Sequence, residues 1–511
     1  MKNIKHYIIL FVVFFAINSC EKWLEVNEDP NNPSVVPTAL ALPAAQASVM
    51  AATGGDIAAL GGLWSQHWTQ NNVSSQYKNI DGYALNANDF DRFWSEMYGG
   101  GLYDLESIKK QALASGNNHL ALQCIALQSF GFQLLADFFD KIPLVQAFQL
   151  EKFPQPIYNE GPEVYSELLK RLDEALALDF SKSISTAALK TDLIFGASSD
   201  GKEQLDKWKK FTNTLKLKMY LRQTNSPNKA IAIASIKKML SDSTKFLNTH
   251  ASITKFIDET TKSNPLFENS VRQLNTPYNL TMSNTLYSYL LANNDLSRID
   301  AYFIKGKSNP KVYYGLIQGD YEAPTQEIPE GFVSTINLKA TDPFYFFSLD
   351  QVNFMLAEAY LIAGDAVKAK EYYNNGVKDG YAKFGILFDS QKIETGGVYA
   401  FPTNGNFEDQ LKAIITQKWV AAFKQGYESF FDQARTGYPA NSPLKKSPKT
   451  YLDGSWLPEA NYVPGEWTQS LNASTKPGEF PKRILYSSVS KDNNVNVPKG
   501  EKITDKVWWM K

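Results

Sequence analysis

Apolar positions recur at alternating steps of four and three along most of the chain, the spacing of helices that bury one face. Leu120, Cys124, Leu127, Gly131, Leu134 and Phe138 form one such stripe, on which Cys124 reads as a small buried hydrophobe. Residues 161–178 repeat the pattern through Val164, Leu168, Leu172 and Leu176, with Pro162 in a first turn that tolerates proline. Residues 203–222 continue it through Leu205, Trp208, Phe211, Leu215 and Met219. In residues 348–363, Ser348 and Gln351 match a capping box ahead of Val352, Met355, Leu356, Ala359 and Ala363. Gly364-Asp365 ends that helix and starts the next, which carries Ala369, Tyr372, Tyr373 and Val377. Small residues where the two helices meet, and large ones filling the gaps, make this a tetratricopeptide-like pair, although no clean 34-residue period runs through the chain. The predicted fold is mainly α: tetratricopeptide-like helix pairs forming a scaffold, with long aromatic-rich loops and a few short strands.

The periodicity fails over residues 64–94, 305–345, 386–407 and 437–500, which are rich in Gly, Pro, Asn, Ser and aromatics. These read as long loops, with a short strand pair around 311–317. Loops of such length tend to carry function. Gly99-Gly100-Gly101 reads as a helix break.

A different pattern opens the chain. Lys2 and Lys5 precede an apolar run from Ile8 to Ile17, and Asn18-Ser19-Cys20 follows. This is the layout of a secretory signal over residues 1–19. Cys20, at the cleavage point, resembles the acylated cysteine of a bacterial lipobox and is the expected lipidation site. Residues 20–37, polar and rich in Pro and Asn, are expected to form a lipidated N-terminus and extended tether. Residues 38–511 are expected to form a single helical domain with loop insertions. No other apolar run is expected to approach the roughly 20 residues of a spanning helix, so several acyl chains would hold the protein at a membrane.

Composition narrows the chemistry. Lys plus Arg number 52 against 53 for Asp plus Glu, which argues against a nucleic-acid partner needing a basic face. The two cysteines exclude a disulfide scaffold and a cysteine-based zinc ribbon. His67, His119 and His250 are isolated, and no HExxH, GxSxG or phosphate-binding glycine loop occurs. No catalytic residue, cofactor or metal site is therefore expected, and Asn27-Glu28-Asp29 lacks the spacing of a calcium loop. Asp137, Asp140, Glu358 and Glu428 are the carboxylates from which a glycosidase pair would be drawn, though each falls in a helix-end or helix-packing context.

The 10 Trp, 26 Tyr and 31 Phe are the excess to explain. Trp64, Gln66, Trp68, Gln70, Asn71, Asn72, Gln76, Tyr77 and Tyr83 crowd one stretch, and flat rings beside amides suit polar, uncharged ligands. Trp68, Asn72, Tyr77 and Tyr83 are the expected ligand-binding residues. The competing reading is that these rings pack the loop onto the helices.

Several segments together resemble the SusD/RagB-like outer-membrane nutrient-binding lipoproteins of Bacteroidetes-type bacteria. They are Cys20 to Pro33, Leu63-Trp64-Ser65-Gln66, Ala136 to Pro143, Trp208 to Arg222, Leu356 to Tyr360, Gln417 to Glu428, Arg435 to Pro439 and Phe480 to Arg483. Two departures occur: Gln433-Ala434-Arg435 has one arginine where the family often has two, and Tyr486 lacks a following proline and acid. The resemblance implies a cell-surface lipoprotein that is not an enzyme. It implies capture of an oligosaccharide or peptide and delivery to a partner TonB-dependent β-barrel transporter, on which the protein acts as a lid. Two other readings compete: a helical-repeat scaffold binding only proteins, and a secreted glycan hydrolase.

Overall fold

The computed structural model describes residues 38–511 apart from 182–185, 197, 199 and 445–460. Cys20, the signal and the tether lie outside the described residues. Twelve helices of nine or more residues occur among them. They are α1 (Thr38–Gly54), α2 (Asp56–Trp64), α3 (Leu102–Ala114), α4 (Asn118–Phe139), α5 (Gly161–Leu176), α6 (Gly201–Arg222), α7 (Lys229–Ser241), α8 (Asn284–Ala292), α9 (Leu349–Ala363), α10 (Ala366–Ala382), α11 (Phe407–Ala421) and α12 (Gly426–Thr436). The mainly α fold expected from periodicity is the one observed.

Four helical hairpins, α3–α4, α6–α7, α9–α10 and α11–α12, stack in order, because α6 packs on α4 and α9 packs on α6, α7 and α11. Helix α4 lies at the centre. All of its residues except Asn118 and Ile125 are buried, so the single stripe read from the sequence is only part of an all-round core helix. It is also long and apolar enough to span a membrane, contrary to expectation, but 94% of its apolar window is buried inside the protein. Cys124 is buried as expected.

Helix ends follow local chemistry. Gly364 closes α9 in the left-handed region, and the Asp365 side chain caps α10 by accepting from Lys368 N. The capping box expected at Ser348 does not form, because its hydroxyl makes no bond to the helix. Boxes form instead at Glu160/Glu163 on α5 and Asn406/Asp409 on α11. The glycine run at 99–101 does not break the helix either. It supports a π-helical turn, Met97–Gly101, that joins the short helix Asp91–Glu96 to α3. A Cβ on Gly101 would stand 2.6 Å from Val49 Cγ2, so the bare backbone lets α1 cross closely. Helices α2 and α12 cross closer still: a Cβ on Gly61 would lie 2.3 Å from Tyr427 N, and one on Gly426 would lie 2.5 Å from Gly61 O.

Among the described residues, six short strands complete the fold: β1 (Trp68–Gln70), β2 (Ala251–Ile253), β3 (Leu280–Met282), β4 (Phe303–Ile304), β5 (Thr335–Ile336) and β6 (Phe344–Phe347). Antiparallel pairing orders four of them β1-β3-β5-β4, with Trp68 opposite Met282 and Phe303 opposite Ile336; β2 pairs with β6. The strand pair expected at 311–317 is reduced to an isolated bridge between Ser283 and Leu316.

Candidate functional site

The stretch expected to face a ligand is folded inward. Trp68 is 0% exposed; its Nε1 donates to Ala59 O at 3.2 Å and its ring meets Phe423 edge-on at 5.7 Å. Tyr77 and Tyr83 are also buried, and the Tyr77 hydroxyl shares a hydrogen bond with Ser270 Oγ at 2.9 Å. Asn72 is half-buried and donates to the carbonyls of Ala323 (3.2 Å) and Ile328 (3.0 Å). The structure therefore corrects the expected site: these side chains lock a loop over the four-stranded sheet and present no ring to solvent. The amides act as fasteners. Gln66 donates to Thr468 O at 2.5 Å and accepts from the Thr285 hydroxyl at 2.6 Å, and Gln70 accepts from Tyr77 N at 2.7 Å. Buried backbone polar groups need such partners wherever a loop leaves the helical ladder.

Asp81 anchors the same loop. Its carboxylate accepts from the Thr69 hydroxyl (2.7 Å), Gln70 N (2.9 Å) and Gln318 Nε2 (2.5 Å). Burial outweighs these bonds and raises its pKa to about 6. A carboxyl held above its unfolded value keeps its proton in the native state while the unfolded chain releases it. Its contribution is therefore full below about pH 4 and declines as pH rises to 6. Asp81→Asn is expected to flatten the stability profile between pH 4 and 6, as read from urea midpoints at each pH. An unchanged slope would exclude Asp81 as its source.

The carboxylates considered for hydrolysis have structural tasks. Arg222 of α6 donates to Asp137 Oδ2 at 3.1 Å and Glu428 Oε2 at 2.6 Å, and Lys218 reaches Glu428 Oε1 at 3.0 Å. Asp432 pairs with Lys418 (2.7 Å) and Arg435 (3.1 Å), and Arg435 grips both oxygens of Glu358 at 2.5 and 2.9 Å. Four acids and four bases thus balance inside the stack, linking α4, α6, α9, α11 and α12. Burial raises the Asp137 pKa to about 6, whereas Lys418, Arg435 and Arg222 overcome burial at Asp432 and hold it at about 2. Asp140 accepts from Trp508 N at 2.8 Å. Asp137, Glu358 and Glu428 are buried. Among the described residues no cluster of His, Cys, Asp and Glu has a metal-holding geometry.

Concave surface occurs elsewhere. A cleft of about 580 Å³ opens where the hairpins α6–α7 and α9–α10 meet. Tyr360 and Tyr372, both half-exposed, stack along one wall with ring centroids 5.2 Å apart and planes 9° from parallel. Lys368 caps the Tyr360 ring at 5.4 Å. Amides line the remainder: Asn353 donates to Asp379 Oδ2 at 2.6 Å, and Asn248 accepts from Lys210 at 3.4 Å. The Asn375 side chain makes no hydrogen bond among the described residues, so its amide is available to a ligand. Rings, amides and an open polar trough are what a sugar chain needs: flat faces for its C–H edges and donors and acceptors for its hydroxyls.

Tyr360 and Tyr372 read in the sequence as gap-fillers between helices, and one signal separates them from that role. Tyr373 is 1% exposed and points into the core. Its neighbour Tyr372 is rotated by about 100° on the same helix and cannot face the same way. Tyr360 falls outside the inward set Val352, Met355, Leu356 and Ala359 for the same reason.

The chain matches, over residues 30–459, the model of a SusD-like family described as starch-binding and associating with the outer membrane. Its structure is similar to that of a SusD homologue from Bacteroides uniformis, with a TM-score of 0.69 and 21% identity, covering 92% of this chain and 99% of that one. It is similar to a SusD/RagB family protein from Bacteroides thetaiotaomicron, with a TM-score of 0.71, 20% identity and coverage of 93% and 99%. A chitin-binding SusD homologue from Flavobacterium johnsoniae gives a TM-score of 0.70 at 20% identity, covering 92% and 98%. No curated protein matches the chain.

Proposed function

Because the chain belongs to the SusD-like family of starch-binding, outer-membrane-associated proteins, we propose that it captures an oligosaccharide at the cell surface and passes it to a TonB-dependent barrel, over which it closes as a lid. The family match over most of the chain carries this reading. The chitin-binding relative supports a glycan over a peptide. Cys20 is the proposed lipid anchor, residues 20–37 the tether, and residues 38–511 one ligand-capturing unit. Mass spectrometry of the mature N-terminus tests the anchor; an unmodified Cys20 would exclude it.

The cleft beside Tyr360 and Tyr372 is the proposed capture site. The protein chemistry there is binding chemistry: half-exposed rings and amides, with the buried carboxylates committed to ion pairs. Titration of purified protein with a glycan panel, alongside recovery of a co-purifying barrel, is the experiment. Binding to no glycan would sink the function. The double variant Tyr360→Ala, Tyr372→Ala is expected to weaken binding about tenfold, the scale of two lost ring contacts. Full affinity in that variant would place capture elsewhere on the surface.

A further inference from the structure

The cleft does not end at Lys210. A second hollow, of about 320 Å³, lies further along segment 245–255. Residues 243–248 line the first cleft, and Thr249, His250 and residues 252–255 line the second. Lys207 and Lys210, one helical turn apart on α6, face one hollow each. Leu349 of the first cleft donates its N–H to His250 Nδ1 of the second at 3.0 Å. The two hollows therefore adjoin along that segment.

The charge of this track departs from that of the whole chain. Six lysines line it: Lys190, Lys207, Lys210, Lys245, Lys255 and Lys378. The two acids that line it are hydrogen-bonded, and Asp365 and Glu371 act on the tyrosines at its edge. Asp192 points inward, with one oxygen accepting from Gln46, Ile194 N and Phe195 N and the other from Trp208 Nε1. Asp379 is held by Asn353. Glu203 and Asp206, on the flank of α6, neutralise Lys207 and Lys210 at 2.7 Å each. Lys190, Lys245, Lys255 and Lys378 are exposed and form no ion pair among the described residues. Four free ammonium groups along one trough, in a chain of net charge −1, are a local field that net charge conceals.

We infer that the two hollows form one track for a linear glycan carrying carboxylate groups, a uronic-acid oligosaccharide. The tyrosines and amides of the larger cleft take sugar rings, and the lysines spaced along both hollows meet the repeating carboxylates. This inference rests on the glycan-capture reading and adds the charge of the ligand.

The test titrates the purified mature protein with oligogalacturonate, with maltoheptaose as a neutral chain of similar length and with a short DNA duplex as a non-sugar polyanion, at 50 and 300 mM NaCl. Oligogalacturonate is expected to bind best, and about tenfold more weakly at the higher salt. Lys245→Gln with Lys378→Gln is expected to weaken it about tenfold, while Lys238→Gln, on a lysine outside the track, changes nothing. Both altered lysines are exposed, so circular dichroism should report an unaltered fold. Binding of maltoheptaose alone, or of oligogalacturonate without loss in the double variant, would overturn the inference and leave glycan capture standing. DNA binding as tight as that of oligogalacturonate would overturn it as a mere polyanion sink. Binding of neither glycan would remove both readings.

Discussion

Arg222→Ala is expected to destabilise the protein by about 3–5 kcal/mol, read from the urea midpoint. Arg222 is 2% exposed and is the hub through which Asp137 and Glu428, from helices far apart in sequence, share one cation. Its guanidinium also lies over Phe431 at 4.7 Å and Trp509 at 5.1 Å, so aromatic rings cover its faces. Truncation leaves two buried carboxylates with less positive charge than they need. The penalty is the desolvation of those stranded groups, which exceeds the net worth of the intact pairs. Lys238→Ala provides the contrast. Its ion pair with Asp242 is exposed on both sides, and its loss is expected to cost no more than about 0.5 kcal/mol. Equal costs for the two substitutions would show that the internal network is not what ties the hairpins together.

The second large effect is at Trp68. Trp68→Ala is expected to cost about 3–5 kcal/mol through lost burial and the cavity left behind. The indole lies flat on α2: a Cβ added at Gly62 would stand 2.0 Å from its ring atoms, so the ring packs directly on bare helix backbone. It also fixes β1, whose Thr69 and Gln70 both bond to Asp81. Glycan affinity of the folded variant is expected to match that of the parent. Calorimetric titration of the variant, under conditions where it remains folded, separates the two roles. A variant that kept its stability and lost its affinity would return Trp68 to the binding surface.

The two effects show where sequence reasoning ends. Capping and periodicity located the helices, and the order of motifs such as Trp208 to Arg222 and Arg435 to Pro439 identified the family. Those same motifs now have a physical task, since they supply Lys218, Arg222 and Arg435 to the internal ion network. The rings and amides of residues 64–83 and the tyrosines at 360 and 372 carried the same composition and had opposite fates. Balanced net charge argued against a nucleic-acid partner, and only the tertiary structure gathered the exposed Lys190, Lys245, Lys255 and Lys378 along neighbouring hollows.

What the sequence by itself determined is local: where helices such as α4, α5, α6, α9 and α10 run. A 3.6-residue repeat and a capping side chain act within a few positions of one another, so they are visible in a linear text. Which polar or aromatic side chain meets water was decided by the tertiary structure. Gln66 bonds to Thr468, Asp137 to Arg222, and Tyr77 to Ser270. Exposure depends on partners brought from 85 to 402 residues away, and the packing of helices, not their pattern, brings them there.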